Sequence, residues 1–258
     1  MKLSIRTQLD YQIPDPCDIL LQIEAAIIPE QEVIDANIEL PRVKHFARVA
    51  GHDTIGDRIW LRHQGDLIVD YQATVDVQRL ANDIAGLPAT APHQLLGEAV
   101  QYLMPSRYCP SHEFQSLVEA EFGDFQGGER IAAICDWIAE HVEYRPGSNN
   151  AETGVMETYI DRAGVCRDFA HLLITMARAS AIPARFASVY GLGVEPQDFH
   201  AVAEVFLSGT WYVVDATGMS GPDRIAKIGI GRDAADVSFL TSFGVATLNN
   251  QQVEVSEA

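Results

Sequence analysis

The first 80 or so residues alternate apolar and polar positions with a period of two, a pattern typical of β-strands. The two clearest runs are LSIRTQLDY, which begins at Leu3, and DLIVDYQATVDV, which ends at Val77. Each run places every second side chain on the same face of its strand. The residues that share these faces are Leu3, Ile5, Thr7, Leu9 and Tyr11 in the first run, and Leu67, Val69, Tyr71, Ala73, Val75 and Val77 in the second.

The Gly65-Asp66 pair separates two strand-like runs, and such a pair predicts a tight hairpin turn between them. Two further apolar runs lie at 19–28 and 33–40. Several short strands joined by turns favour two sheets packed face to face. We therefore predict an antiparallel β-sandwich over residues 1–85.

A connecting segment follows, marked by Gly86, Pro88 and Pro92. Beyond it the apolar positions recur at helical spacing and then return to a period of two. We predict a second unit over residues 95–258, with helices packed on an antiparallel sheet, and hence an α+β chain. Helices are predicted at 111–122, 129–142, 153–162 and from Cys166 to before Pro183, and strands at 184–192, 199–207 and 210–218.

The charge balance argues against nucleic acid as a partner. The chain has 36 acidic and 18 basic residues and a formal net charge of -18, so a phosphate backbone would be repelled.

No apolar stretch approaches the roughly 18 residues needed to cross a bilayer, and no signal peptide is recognisable, so we expect a soluble cytoplasmic protein. Its four cysteines are then expected to be reduced thiols.

The stretch GVCRDFAHLL places Cys166 at the predicted start of a helix. A thiol attacks as a thiolate, which the partial positive charge at a helix N-terminus favours. A catalytic thiol also needs a base, usually histidine, and a group that orients the base. The other three cysteines, Cys17, Cys109 and Cys135, are interpreted as small buried hydrophobic residues.

The base and its orienting group can come from two adjacent strands. If Ser208 and Gly209 form a two-residue turn, His200 and Asp215 become diagonal neighbours on one face, about 7–8 Å apart between backbones. A turn one residue longer, without a bulge, would place the two side chains on opposite faces. The predicted pair therefore depends on this register.

Four motifs occur in order, GVCRDFAHL, PARFASVYG, DFHAVAEVFL and WYVVDATG, and together they resemble the core of the transglutaminase-like superfamily. The resemblance is to its bacterial members described as "putative cysteine proteases", which also carry a β-rich N-terminal region. It implies a papain-like fold and a catalytic triad of Cys166, His200 and Asp215. The segment YLMPSRYC fits the connecting segment of these members.

The resemblance also implies an oxyanion hole with two hydrogen-bond donors. One donor should be the backbone N–H of Cys166. The second lies upstream of the cysteine in the family, and the sequence leaves four candidates open. These are Trp137, Tyr144, Asn149 and Asn150.

Thiol acyl transfer on a peptide or protein amide is the function expected from these residues. Hydrolysis is favoured over transglutaminase activity because water is always at hand. The alternative from another functional class is a non-catalytic binding module on the same scaffold.

No cofactor motif is visible, and Cys109 with His112 lacks a second pair of zinc ligands. His171 is interpreted as structural. Asp168 is interpreted as a first-turn acid in preference to a charge that regulates Cys166, while Arg167 is either a surface residue or a substrate contact. Substrate identity and oligomeric state have no signal in the sequence.

Overall fold

The computed structural model describes residues 1–81, 83–148 and 150–258. Helices and antiparallel strands are mixed along the chain, which confirms the α+β class. The strands are β1 Lys2–Leu21, β2 Gln31–Glu39, β3 His45–Ala50, β4 Asp57–Val77, β5 Glu143–Tyr144, β6 Ala163–Gly164, β7 Ala184–Gly191, β8 His200–Leu207, β9 Thr210–Val214, β10 Ile225–Gly231, β11 Leu240–Ser242 and β12 Thr247–Glu257. The α-helices are α1 Gly97–Val100, α2 Gln115–Phe122, α3 Gly127–His141, α4 Val155–Asp161 and α5 Cys166–Ala179.

Two long strands form the centre of the N-terminal sheet. β1 and β4 pair antiparallel from Lys2 opposite Asp76 to Leu21 opposite Ile59. The free edge of β4 carries β2 and β3, and the free edge of β1 carries β12 and β11. Within the described residues these six strands form one continuous antiparallel sheet, so the predicted sandwich of two sheets is not confirmed.

The hairpin predicted at Gly65-Asp66 is wrong, because β4 runs through both residues without turning. Gly65 has φ +98° and lies opposite Ile13, where the register between β1 and β4 shifts before Cys17. β1 continues alongside β4 on both sides of this point and supplies hydrogen-bond partners to both halves of the strand. The extra residues of this irregularity lie in β1, where residues 14–16 are opposite Gln64, so β4 continues as one long strand where the sequence suggested a turn between two short ones.

The C-terminal residues return to the N-terminal sheet. β11 pairs with β1 through Leu240 opposite Leu21, and β12 pairs with it from Thr247 to Glu257. Residues 240–257, which the sequence pattern assigned to the second unit, are thus hydrogen-bonded to the N-terminal sheet. The division of the chain between residues 85 and 95 stays a prediction.

The apolar faces predicted for β1 and β4 are buried as expected, from Leu3 at 0% exposure to Val77 at 2%. This face packs against Tyr190, Ala226 and Ile228 of the second sheet. The hydroxyl of Tyr190 donates to the Ile23 carbonyl at 2.6 Å and accepts from the Thr7 hydroxyl at 2.9 Å. The two sheets consequently share one hydrophobic core.

Buried charges join the same two parts of the chain. Lys227 Nζ lies 2.6 Å from Glu204 Oε1 and 2.7 Å from Glu30 Oε1, and Arg185 Nε donates to Glu204 at 2.7 Å. Burial alone would raise the pKa of Glu204, but the two cations outweigh it and lower the pKa to about 2. Glu204 is therefore a carboxylate with a partner on each side.

The second sheet has the order β10-β7-β8-β9, and every neighbouring pair is antiparallel. α5 packs on it through a nearly continuous apolar surface, with Leu172, Leu173 and Ile174 fully buried. The helix predicted at 129–142 is α3, whose Ile131 and Ile138 are fully buried in the same core. No helix in the described ranges is long and apolar enough to cross a bilayer.

Candidate active site

Cys166 is the first residue of α5, as the sequence predicted. The start of this helix is fixed by Asp168, whose carboxylate accepts the backbone N–H of Val165 at 2.9 Å. Gly164 makes room for this cap, because a Cβ there would lie 2.7 Å from the Cβ of Asp168. The thiol is thereby held at the positive end of the helix, where a thiolate is stabilised.

The turn that sets the register of β8 and β9 also follows the prediction. Ser208 and Gly209 have φ of 49° and 81°, which is the pattern of a type I′ hairpin turn. The pairing runs from Leu207 opposite Thr210 to Ala203 opposite Val214, with no shift. The ladder ends there, and Asp215 is the next residue of the chain.

His200 and Asp215 meet as the register requires. Nε2 of His200 lies 2.9 Å from Oδ2 of Asp215, and the two side chains are 0% and 3% exposed. The other oxygen of Asp215 accepts the backbone N–H of Thr217 at 2.9 Å and its hydroxyl at 2.7 Å, while the N–H of Ser220 donates to Oδ2 at 3.0 Å. These hydrogen bonds fix the orientation of the carboxylate.

The electrostatics of the pair favour its ionised form. Burial opposes charge on Asp215, but hydrogen bonds from His200 and Thr217 lower the pKa of its carboxyl. Burial also opposes charge on His200, yet Asp215 and the Cys166 thiol raise the pKa of the imidazole to about 9. Nδ1 of His200 is buried and has no hydrogen-bond partner among the described residues. The Cys166 thiol is close enough to the ring to contribute to its raised pKa. An imidazolium at this position can pair with a thiolate.

Tyr144 is the upstream candidate that lies at the thiol. It belongs to β5, which pairs in parallel with β6 so that Tyr144 lies opposite Gly164, two residues before Cys166. Its hydroxyl lies beside both the backbone N–H and the thiol of Cys166, and burial together with that thiol raises the pKa of Tyr144 to about 12. The hydroxyl therefore stays protonated and able to donate at neutral pH.

Of the other upstream candidates, Trp137 and Asn150 make their contacts with residues other than Cys166. Trp137 stacks on His141 and Tyr159, with ring centroids 4.6 and 5.8 Å away. The side chain of Asn150 accepts the backbone N–H of Glu152 at 2.8 Å within its own loop. Asn149 lies outside the described residues. Sequence reasoning could not choose among these candidates, because a two-residue parallel bridge leaves no periodic signal.

Cys166 and His200 open into a cleft of about 260 Å³. Arg167, which follows the cysteine, lies at its rim and donates to the carbonyl of Asn150 at 2.6 Å. The far wall is formed by residues of the segment that leads into β11, among them Phe239 and Leu240. Cys166 itself is half-buried, so its thiol can be reached from the cleft.

The remaining thiols are in different surroundings. Burial raises the pKa of Cys109 and of Cys135 to about 12, so both are protonated at neutral pH. Cys109 is buried as predicted, whereas Cys135 is only half-buried, because it lies at the border of the core rather than within it. Cys17 is buried in the N-terminal core. Cys109 and His112, the pair considered for zinc, lie in different surroundings. The Cys109 thiol donates to the His171 carbonyl in the core, whereas the His112 side chain is exposed to solvent.

His171 is buried in the core beside the cleft. Its Nε2 accepts the backbone N–H of Ala234 at 3.1 Å, and its ring stacks on Tyr108 with centroids 5.1 Å apart. Burial and the charges of Arg167 and Arg178 hold its pKa well below the ordinary value. A neutral imidazole that supports the loop at Ala234 agrees with the structural interpretation from the sequence.

Comparison with known proteins places these residues within a family. The model of the transglutaminase-like superfamily matches residues 116–216, a range that contains Cys166, His200 and Asp215. A crystal structure from Cytophaga hutchinsonii, named as a "putative cysteine protease", superposes with a TM-score of 0.92 at 34% identity and covers 99% of this chain and 90% of its own.

Two mycobacterial proteins, both called uncharacterized, are more distant. The protein from Mycobacterium leprae is 23% identical over 185 residues, which are 67% of this chain and 66% of that protein. The protein from Mycobacterium tuberculosis H37Rv is 34% identical over 144 residues, which are 50% of this chain and 46% of that protein. The chain thus matches between about half and two thirds of the length of these curated relatives.

Proposed function

Because this chain belongs to the transglutaminase-like superfamily, we propose that it is a cysteine peptidase or amidase that acts through Cys166, His200 and Asp215. The observation that carries the proposal is that His200, which is paired with the buried Asp215, lines the same cleft as a thiol at a helix N-terminus. A scaffold used only for binding would have no need of these three groups together. The substrate class is a peptide or protein amide.

In the first half of the reaction, Nδ1 of His200 takes the proton of the Cys166 thiol, and the sulfur attacks the amide carbonyl carbon. A C–S bond forms and the carbonyl oxygen gains the negative charge. When the tetrahedral intermediate collapses, the C–N bond breaks and the imidazolium gives its proton to the leaving amine. The product on the enzyme is a thioester of Cys166.

In the second half, His200 takes a proton from water, and the resulting hydroxide attacks the thioester carbon. The C–S bond breaks, the carboxylic acid leaves, and the proton returns to the thiol. If an amine enters in place of water, the same steps give a new amide, which is the transglutaminase reaction.

Two groups at Cys166 can stabilise the oxyanion of each tetrahedral intermediate. The backbone N–H of Cys166 and the hydroxyl of Tyr144 lie beside one another at the thiol. Both are donors, and the hydroxyl keeps its proton because burial and the thiol raise the pKa of Tyr144 to about 12. A negative oxygen bound there would accept two hydrogen bonds at the moment it forms.

Asp215 acts on the histidine rather than on the substrate. Its Oδ2 accepts from Nε2, so the neutral ring carries its hydrogen on Nε2 and presents the lone pair of Nδ1 to the thiol. The charge of the carboxylate also stabilises the imidazolium that forms in each half of the reaction. Removing it should therefore slow both halves.

One assay tests the proposal and separates hydrolysis from amine transfer. A panel of peptide amides is incubated with the protein in the presence of a primary amine, and the free acid and the amine adduct are measured by mass spectrometry. We expect the free acid to dominate with the wild type and both products to disappear in Cys166→Ala, with Cys135→Ala as the matched control. Dominant amine adduct would make the protein a transglutaminase, and no Cys166-dependent product would favour the binding module.

A further inference from the structure

The cleft beside the thiol is mainly apolar away from the reacting groups. Its far side contains Phe199, Val237, Phe239 and Leu240. Among the described lining residues, Arg167 carries the only permanent charge, and it is held at the rim by the carbonyl of Asn150. A substrate side chain that enters this side of the cleft therefore meets hydrocarbon rather than charge.

Two aromatic rings of this apolar side stack on each other. Phe199 directly precedes His200, and its ring stacks on Phe239 with centroids 4.6 Å apart and an interplanar angle of 10°. Both residues are half-buried, and both line the cleft. Stacked rings in a cleft lining are well suited to contact an aromatic or branched aliphatic side chain.

The N-terminal sheet holds this wall in position. The carbonyl of Phe239 accepts the backbone N–H of Gln22 at 2.9 Å, and the next residue, Leu240, pairs with Leu21 of β1. The ring of Phe199 also contacts Tyr190, which lies in the core shared with the N-terminal sheet. Both aromatic residues are thus positioned by the N-terminal sheet as well as by their own segments.

The size of the cleft indicates how much of a substrate it can enclose. Its volume of about 260 Å³ lies near the lower end of the range of about 300–1,000 Å³ that is usual for sites enclosing a whole small ligand. The space suits one side chain of a longer chain that continues outside the cleft. This geometry agrees with a peptide bound across the thiol.

We propose that Phe199, Phe239 and Leu240 form a subsite for one bulky apolar side chain of the substrate, and that Phe239 determines this specificity. The side chain belongs to the residue on the acyl side of the scissile amide, which stays attached to Cys166 through both halves of the reaction. The N-terminal sheet is then a specificity element, because β1 holds Phe239 against the cleft. This inference rests on the proposed thiol chemistry.

The test uses two peptidyl chloromethyl ketones that differ only in carrying Phe or Gly next to the ketone. Their rates of Cys166 alkylation are measured by peptide mass spectrometry and divided by their rates with free cysteine. Iodoacetamide, which has no peptide side chain to bind, measures the reactivity of the Cys166 thiol itself. In the wild type we expect the Phe reagent to react at least about tenfold faster than the Gly reagent, as expected for burial of an apolar side chain.

The variants test whether the preference for the Phe reagent depends on the ring of Phe239. Phe239→Ala should reduce the Phe-to-Gly ratio at least about fivefold and change the iodoacetamide rate less than about twofold. Phe243→Ala is the matched control, because this ring is 64% exposed and packs on Trp60 at 5.3 Å, and it should keep the wild-type ratio. Phe239→Leu, which retains an apolar side chain, should give an intermediate ratio.

The outcomes distinguish this inference from the proposed function. Fast iodoacetamide labelling of Cys166 with a Phe-to-Gly ratio near one in the wild type would overturn the subsite and leave the thiol chemistry standing. A Cys166 that resists all three reagents would overturn both. If Phe239→Ala does not fold, the wild-type ratio and Phe239→Leu still decide, and an unchanged ratio in a folded Phe239→Leu or Phe239→Ala would remove Phe239 from the subsite.

Discussion

Nε2 of His200 lies 2.9 Å from Oδ2 of Asp215, with both side chains almost completely buried. The carboxylate accepts two further hydrogen bonds from Thr217 and one from Ser220, so it cannot rotate without losing partners. The imidazole is consequently fixed in one orientation, with Nε2 bound to Asp215 and with Nδ1 making no hydrogen bond to the described residues. In the proposed mechanism this pair determines which proton the histidine moves.

Asp215→Asn should lower kcat/KM for a peptide amide by roughly 10²–10⁴. An amide NH2 facing Nε2 would place the ring hydrogen on Nδ1, so the ring could no longer accept the proton of the thiol. The measurement is kcat/KM in folded protein, with Asp124→Asn, a change in an exposed loop, as the control. Equal activity in Asp215→Asn and the wild type would show that the pair only supports the fold.

The pH dependence should separate amide turnover from simple alkylation. The pKa of His200 is raised to about 9, so the ring is protonated below that pH and loses its proton above it. Protonation of the leaving amine needs the imidazolium, and kcat/KM should therefore fall about tenfold per pH unit above pH 9. Iodoacetamide needs only the thiolate, so its rate should not fall there.

Parallel measurements of the two rates from pH 6 to 10.5 check this prediction. Asp215→Asn should move the falling limb of kcat/KM to lower pH, because the carboxylate is a main cause of the raised pKa of His200. Two profiles that fall together above pH 9, or a falling limb that Asp215→Asn leaves unmoved, would contradict the assignment of the limb to His200.

Tyr144→Phe should reduce kcat about 10²–10³-fold, as is typical when one oxyanion donor is removed. Alkylation by iodoacetamide forms no oxyanion, so its rate at Cys166 should change far less than kcat. Tyr159→Phe is the matched control, because Tyr159 packs on Trp137 away from the thiol. A similar loss in both rates for Tyr144→Phe would mean that the tyrosine acts on the thiol itself.

Gly164→Ala should lower the free energy of unfolding by about 1–3 kcal/mol, because its Cβ would press on the Asp168 side chain that caps α5. Urea denaturation measures the change. Gly97→Ala is the control: a Cβ there would meet nothing within 4 Å, and stability should change by less than about 0.5 kcal/mol. Equal stability of both variants would argue against the tight contact.

The His200–Asp215 pair could be predicted from sequence because one local feature fixes it. Ser208-Gly209 allows the tight turn, and the period of two then determines which residues face each other across β8 and β9. The position of Cys166 could be predicted in the same way, since the start of an apolar helix after Gly164 is a local signal. Short-range rules were sufficient to place these three residues on their elements, whereas their catalytic role was predicted from the resemblance to the family and stays a proposal.

Other features depend on contacts that are distant in sequence. β12 is mostly polar, with Val253 and Val255 as its buried positions, so its pairing with β1 left no strong apolar pattern. Gly65 has the local signature of a turn, but β1 supplies partners along the whole of β4 and holds the strand extended. The Phe199–Phe239 stack also forms only when the C-terminal segment returns to the N-terminal sheet.

The most direct test of the central claim is the rate of iodoacetamide alkylation of each cysteine at pH 7, measured by peptide mass spectrometry in the wild type and in His200→Ala. Burial raises the pKa of Cys109 and Cys135 to about 12, so both should react slowly in the folded protein. We predict that Cys166 reacts at least about tenfold faster than either and loses most of this advantage in His200→Ala. A Cys166 that reacts no faster than Cys109 and Cys135, or whose rate is unchanged by His200→Ala, would contradict a thiol activated by the histidine.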